Sequence, residues 1–164
     1  MADEARVVVR DEQPYAGIRE LVTVRTLGSL ADRIPEILEW LADHGIEPSG
    51  APFFKYNVID MEGELEVEAG VPVAETFDAI APVFSGVLPG GRFVTLTHIG
   101  DPDDLVRVTG DLLAWAAQQG LAWDMTRTER GESWGCRLEF YKTDPTWEPD
   151  MTTWETELAF RLAQ

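Results

Sequence analysis

The sequence predicts an α+β fold: a β-α-β-β unit present twice and related by a pseudo-twofold axis. The helices cover one face of an antiparallel sheet, and a ligand cleft lies on the other. Three observations carry this. Two stretches, "ELVTVRTLG" (20–28) and "RFVTLTHIG" (92–100), alternate apolar and polar residues and stop at glycine, as strands do. An amphipathic helical pattern follows each. Two further strand-like stretches follow each helix.

In the first unit, "SLADRIPEILEWLADHG" sets Leu30, Ile34, Ile37, Leu38 and Leu41 in one apolar stripe. Pro35 belongs within the first turns, and Gly45 is the expected C-terminal stop. "PFFKYNVID", the turn "MEGE" and "LEVEAGVPV" then read as a hairpin. The stretch "PVAETFDAIAPVFSGVLPGG", with Pro82, Pro89 and Gly90-Gly91, reads as a connection after a strand-like start. In the second unit, "DPDD" (101–104) caps a helix with acidic residues in its first turn. Leu105, Val108, Leu112, Leu113 and Ala116 form its stripe, and Gly120 ends it. "CRLEFYKTDP", a longer loop and "WETELAFRL" complete the repeat. The expected organisation is an N-terminal segment (1–14) followed by one domain (15–164) of two repeats, about 15–75 and 90–164.

The last strand poses a chemical question. Trp154, Thr156, Leu158 and Phe160 fall on one face; Glu155, Glu157 and Ala159 fall on the other, with Arg161 next. Two glutamates in a strand otherwise suited to burial need a reason. The duplication gives one, because Glu68 of "LEVEAGVPV" and Glu157 of "WETELAFRL" take matching positions. A single unit would leave a sheet edge and an apolar face unburied.

The net charge of −17 argues against nucleic acid and anionic membrane as partners and favours cations, beside its plain role in solubility. Cys136 is the only cysteine, so no internal disulfide forms. The N-terminus has no apolar signal-like core, and no apolar run is long enough to span a membrane. A soluble cytoplasmic protein is expected. No cysteine-histidine-acid spacing suits a metal, "LPGGR" is not a phosphate loop, and no serine sits in a nucleophile elbow. Neither metal nor cofactor is expected.

Four stretches, taken in order and spacing, resemble the GyrI-like small-molecule-binding family, which includes the effector-binding domain of MerR-type multidrug-responsive regulators. They are "APFFKYNVID" with "VEAGVPV", "LPGGRFVTLTHIG", "LLAWAAQQGL" and "LEFYKTDPTWEPDMTTWETEL". The resemblance runs from about Tyr15 to Leu162. It implies binding of lipophilic, cationic or aromatic compounds in a central cleft, with Glu157 at the recurrent glutamate of the last strand. Glu68 matches it in the first half, and Tyr56 and Tyr141 match recurrent tyrosines. Two departures stand out: "DPDDL" replaces a segment that often carries a tyrosine, and Arg161 stands where proline is common.

A carboxylate inside an apolar trough selects cations, because a pair at ~4 Å gains on the order of 4 kcal/mol at an effective dielectric of about 20, before desolvation. Tryptophans add stacking and cation–π surface, and Trp115, Trp134, Trp147 and Trp154 are the candidates beside Tyr56 and Tyr141. Their plain alternative is core packing, and that of the glutamates is a solvated strand face. The leading expectation is therefore a binding module for a lipophilic cationic small molecule, monomeric or weakly dimeric. The alternative, implied by the resemblance, is a hydrolase of strained compounds such as cyclopropanes, with Glu157 as general base and Glu68 or Tyr141 assisting. An acidic inhibitor of a DNA-acting enzyme is a third class, weakened by the even spread of charge. With about 14 residues ahead of the domain, the chain is not expected to carry its own DNA-binding helices.

Overall fold

The computed structural model describes residues 4–164. Ten strands and two helices run in the order β1 (Arg6–Arg10), β2 (Gln13–Val22), α1 (Arg33–Asp43), β3 (Phe53–Ile59), β4 (Leu65–Pro72), β5 (Phe84–Leu88), β6 (Gly91–Ile99), α2 (Leu105–Gln118), β7 (Met125–Thr128), β8 (Gly131–Trp134), β9 (Arg137–Tyr141) and β10 (Glu155–Arg161). The main sheet has the order β1-β6-β10-β9-β3-β4-β2-β5, and every pairing is antiparallel. The β7–β8 hairpin pairs with the far end of β3.

The duplicated unit is present as β2-α1-β3-β4 and β6-α2-β9-β10. The two halves join where β3 meets β9, with Phe54 opposite Glu139. A twofold axis through that pair relates Phe53-Phe54-Lys55-Tyr56 to Leu138-Glu139-Phe140-Tyr141. It also relates Glu68, opposite Lys55, to Glu157, opposite Phe140.

The sheet is curled. A flat sheet would hold β1 and β2 roughly 30 Å apart. Only Asp11 and Glu12 join them, and only Pro89 and Gly90 join β5 to β6. Two residues bridge roughly 11 Å at most, so the two edges must approach each other. The helix-free face then lies inside the curl. It is filled by Tyr15, Phe53, Leu88, Phe93, Cys136, Leu138, Phe140 and Ala159. Gly70 carries no side chain because the Phe53 ring lies directly against it.

The helices pack on the other face. Leu30, Ile37 and Leu41 are buried under the first half, and Val108, Leu112 and Ala116 under the second. Leu38 is exposed. Pro35 lies in the first turn of α1, and Gly45 (φ 69°) and Gly120 (φ 70°) close both helices in the left-handed conformation open to glycine. Asp101 accepts a hydrogen bond from the Asp103 backbone N–H in the short turn that leads into α2.

Three sequence expectations shift. The first strand of the first repeat is Gln13–Val22, not 20–28: Leu21 and Val24 are exposed, and Thr23 and Thr26 bond each other in a turn. Burial, which alternation alone does not report, belongs to Tyr15, Ala16 and Ile18. The stretch between the repeats contains β5, which pairs with β2. Residues 6–10, ahead of the expected domain start, form β1 against β6.

Candidate functional site

Strand parity sends the site residues expected from the sequence to opposite faces of the sheet. Leu158 and Phe160 pack beneath α2, which turns Glu157 and Ala159 to the helix-free side. Val67 and Ala69 pack beneath α1, which turns Glu68 the same way. Tyr56 and Tyr141 fall on the helix-covered side.

On the helix-free side neither glutamate is without a cation. Glu157, 19% exposed, lies 2.8 Å from Arg10 Nη2 and 3.9 Å from Lys142 Nζ. Glu68, only 2% exposed, lies 3.6 Å from Lys55 Nζ and 3.7 Å from Arg19 Nη2. It also accepts from the Tyr15 hydroxyl and, at 2.6 Å, from Asn57 Nδ2. The Tyr15 phenol is pushed well above its ordinary range by burial, then by Glu68, so it stays a donor. Glu155 is exposed.

On the helix-covered side, α1 packs over β4 and β2, and α2 over β6. The central strands β3 and β9 lie between the two helices. On their floor, at the twofold axis, sits a carboxylate that the sequence reading passed over. Glu139 Oε1 accepts from Tyr56 and Tyr141, each at 3.1 Å. Among the described residues no cation lies within 4.0 Å of it. Glu139 is surrounded by protein atoms yet keeps partial exposure, as do both tyrosines. Burial raises its pKa, while the two phenols and the more distant Arg137 pull the other way. Burial, then Glu139, push both tyrosines well upward, so they remain hydroxyl donors. The Phe54 ring meets Tyr141 edge-on at 5.2 Å.

Arg137, on the same strand face as Glu139, has its guanidinium 4.4 Å from the Phe160 ring centre and 4.8 Å from that of Trp134. Burial lowers its pKa and Glu139 supports its charge. The tryptophans divide. Trp134 is buried, with Trp123 at 5.6 Å and Phe160 at 5.7 Å, and Trp115 packs against the same cluster. Trp154 is half-buried and donates to the Glu148 carbonyl at 2.7 Å, whereas Trp147 is 85% exposed. Arg161 pairs with Asp124 at 2.8 Å. Among the described residues no helix is long and apolar enough to cross a membrane.

The duplicated α+β unit, with two helices flanking its shared axis, defines the class of fold. The chain is a member of the GyrI-like small-molecule-binding domain family, whose model matches residues 3–163. Solved structures share the fold. The EcmrR C-terminal domain is similar over 98% of this chain and 98% of its own, with a TM-score of 0.70 at 18% identity. The EcmrR chain in an EcmrR–DNA complex gives a TM-score of 0.77 at 21% identity over 98% of this chain, which spans 57% of that chain. SAV2435 bound to tetraphenylphosphonium gives 0.64 at 13% identity over 98% of this chain and 94% of that chain. No curated protein sequence matches the chain.

Proposed function

We propose that this domain binds lipophilic aromatic cations between its two helices, with Glu139 as the counter-charge and Tyr56 and Tyr141 as the polar and aromatic flanks. The observation that carries this is the contrast in charge compensation. Glu68 and Glu157 each hold two cations, while Glu139 holds two phenols and no cation within ion-pair distance. A buried carboxylate without a cation is costly, and a ligand cation removes that cost. The phenols orient the carboxylate without neutralising it; the Arg137 guanidinium already lies 6.0 Å from the Tyr56 ring centre, and a ligand cation would add to the cation–π contacts of this face. The bound tetraphenylphosphonium of SAV2435, a fold relative, names a suitable probe.

The test is titration calorimetry with tetraphenylphosphonium and with an uncharged tetraphenyl isostere. Glu139→Gln weakens the cation by about 1.5–3 kcal/mol, the scale of a charge-assisted contact, and leaves the neutral compound nearly unchanged. Glu157→Gln changes cation affinity little. Equal losses for both compounds in Glu139→Gln, or a loss confined to Glu157→Gln, would sink the assignment.

A second reading rests on the geometry at Glu139, a carboxylate held between two hydroxyl donors, with its pKa raised by burial. Such a group suits acid–base opening of an already strained ring. Mass spectrometry of a cyclopropane-bearing electrophile with wild type and Glu139→Gln decides it: turnover unchanged in the variant removes Glu139 as the base.

A further inference from the structure

The helix-free face holds its own cavity, of about 320 Å³, inside the curl where the β1–β2 and β5–β6 links cross. Its walls include Leu88, Phe93, Leu138 and Phe140, and both Arg10 and Lys142 line it. The Arg10 guanidinium lies 5.9 Å from the Phe93 ring centre and 5.5 Å from that of Phe140, and Lys142 Nζ lies 5.4 Å from the Phe140 ring. Among the described residues these two cations share one ion-pair partner, Glu157. The Arg10 Nε is buried and donates to nothing among the described residues. Gln13, also lining the cavity, has its amide N–H groups taken by the Pro14 and Val73 carbonyls. Asp11 and Glu12 stand at the rim, exposed to solvent.

We propose that this cavity is a second ligand site, distinct from the one at Glu139, and that it takes a small organic anion with a flat apolar body: an aromatic carboxylate. Arg10 and Lys142 lie against the apolar wall with Glu157 as the carboxylate they share, while Asp11 and Glu12 at the solvent-exposed rim oppose an anion there, so the preference rests on the two cations at the wall and not on the net charge of the lining. A buried N–H without an acceptor is costly and is satisfied by an incoming oxygen. Arginine is the side chain best suited to hold a planar carboxylate, and the rings beneath it suit a flat aromatic body. The volume lies at the small end of the range for small-molecule pockets, which fits one fused ring system and excludes large ligands. The face expected from its glutamates to select cations thus carries the opposite preference.

The test is calorimetric titration of the intact protein with 1-naphthoate, 1-naphthamide and 1-naphthylmethylammonium, repeated with tetraphenylphosphonium at saturation. Naphthoate binds at least about tenfold tighter than the amide, the scale of one charge-assisted contact, and the ammonium compound binds weakest here. Arg10→Met weakens naphthoate about tenfold or more and Lys142→Met about threefold, since arginine gives the directed contact and lysine a point charge. Glu157→Gln tightens it, because the competing carboxylate is gone. Tetraphenylphosphonium leaves naphthoate affinity unchanged, and its own binding persists in Arg10→Met. Should Arg10→Met fail to fold, the opposite signs expected of Lys142→Met and Glu157→Gln decide the matter. Equal affinity for acid and amide, no binding at millimolar naphthoate, weakening by Glu157→Gln, or displacement by the phosphonium each overturns the proposal. Failure of the cation to bind at Glu139 leaves the naphthoate titration intact.

Discussion

Among the described residues, Glu139 on the helix-covered face meets two phenols and no cation within 4.0 Å, while Glu68 and Glu157 on the helix-free face meet two cations each. All three carboxylates lie on strands of one sheet, and Glu68 and Glu157 are equivalent under its twofold. What separates them is the company each face keeps. The inside of the curl brings basic residues from β1, β2, β3 and just beyond β9 onto the carboxylates of β4 and β10. The face between the helices brings aromatic residues and one guanidinium, Arg137, that acts on Glu139 from beyond ion-pair distance. The same residue type therefore serves as a structural ion-pair partner on one side and as an unspent charge on the other. The two repeats differ in the same way at the axis, where Phe54 of the first stands opposite Glu139 of the second.

The contrast can be broken at several points. The largest expected effect is at Glu68. Glu68→Ala takes the acceptor from the Tyr15 hydroxyl and the Asn57 amide and the carboxylate from Lys55, and costs about 3–5 kcal/mol in urea unfolding, the penalty for removing one partner of a buried pair. A loss below ~1 kcal/mol would mean that Glu68 is not the structural partner its burial indicates.

At Glu139 the sign reverses. Glu139→Gln keeps an acceptor for both phenols and removes a buried charge, so the ligand-free protein gains stability on the order of 1 kcal/mol at neutral pH. The sign follows from linkage. The folded-state pKa of Glu139 is raised above the unfolded value of about 4.3, so folding favours the protonated form. Wild-type stability from this group falls as pH rises from about 4.3 through the raised pKa. The advantage of the glutamine variant opens across that window and closes below it. Thermal unfolding of both proteins between pH 4 and 8 checks this, and a gap that widens toward acid contradicts it.

Cation binding sharpens the same point. Protonation of Glu139 removes the counter-charge, so tetraphenylphosphonium affinity declines on acidification beginning above the range of an ordinary glutamate. Tyr56→Phe and Tyr141→Phe each delete a donor that favours ionised Glu139, and each moves the midpoint of that decline to higher pH. A midpoint shift in the opposite direction would contradict the donor role of the phenols. The smallest effect is at Trp147, largely solvent-exposed, where Trp147→Phe changes stability and cation affinity by less than ~0.5 kcal/mol. A marked loss of affinity there would place the loop before β10 at the site.

Much of this was legible along the chain. The apolar stripes of both helices, the glycine stops and the alternation of 154–160 follow from local periodicity, which burial against one neighbouring layer enforces. Glu139 was harder to see. It interrupts the apolar run of "CRLEFY", and aligning "FFKY" with "LEFY" places it opposite Phe54 at the join of the repeats. The paired glutamates of "WETEL" are more conspicuous, because they stand beside a tryptophan in a strand otherwise suited to burial. The strands β1 and β5 were missed because each is short and owes its pairing to a distant partner, β6 and β2 respectively.

The sequence by itself determined the duplicated unit and which residues of the last strand share a face, because both are written in spacing of two or 3.6 residues or in internal repetition, and its four family-like stretches carried the resemblance that the family model bears out. Only the tertiary structure decided which carboxylate has, among the described residues, no cation within ion-pair distance. Arg10 reaches Glu157 across 147 positions, Arg19 reaches Glu68 from the neighbouring strand, and Phe54 and Glu139 meet only where the halves join. The state of a buried charge depends on every charge and dipole within a few ångströms, and the curl of the sheet, not the order of the chain, sets which groups those are.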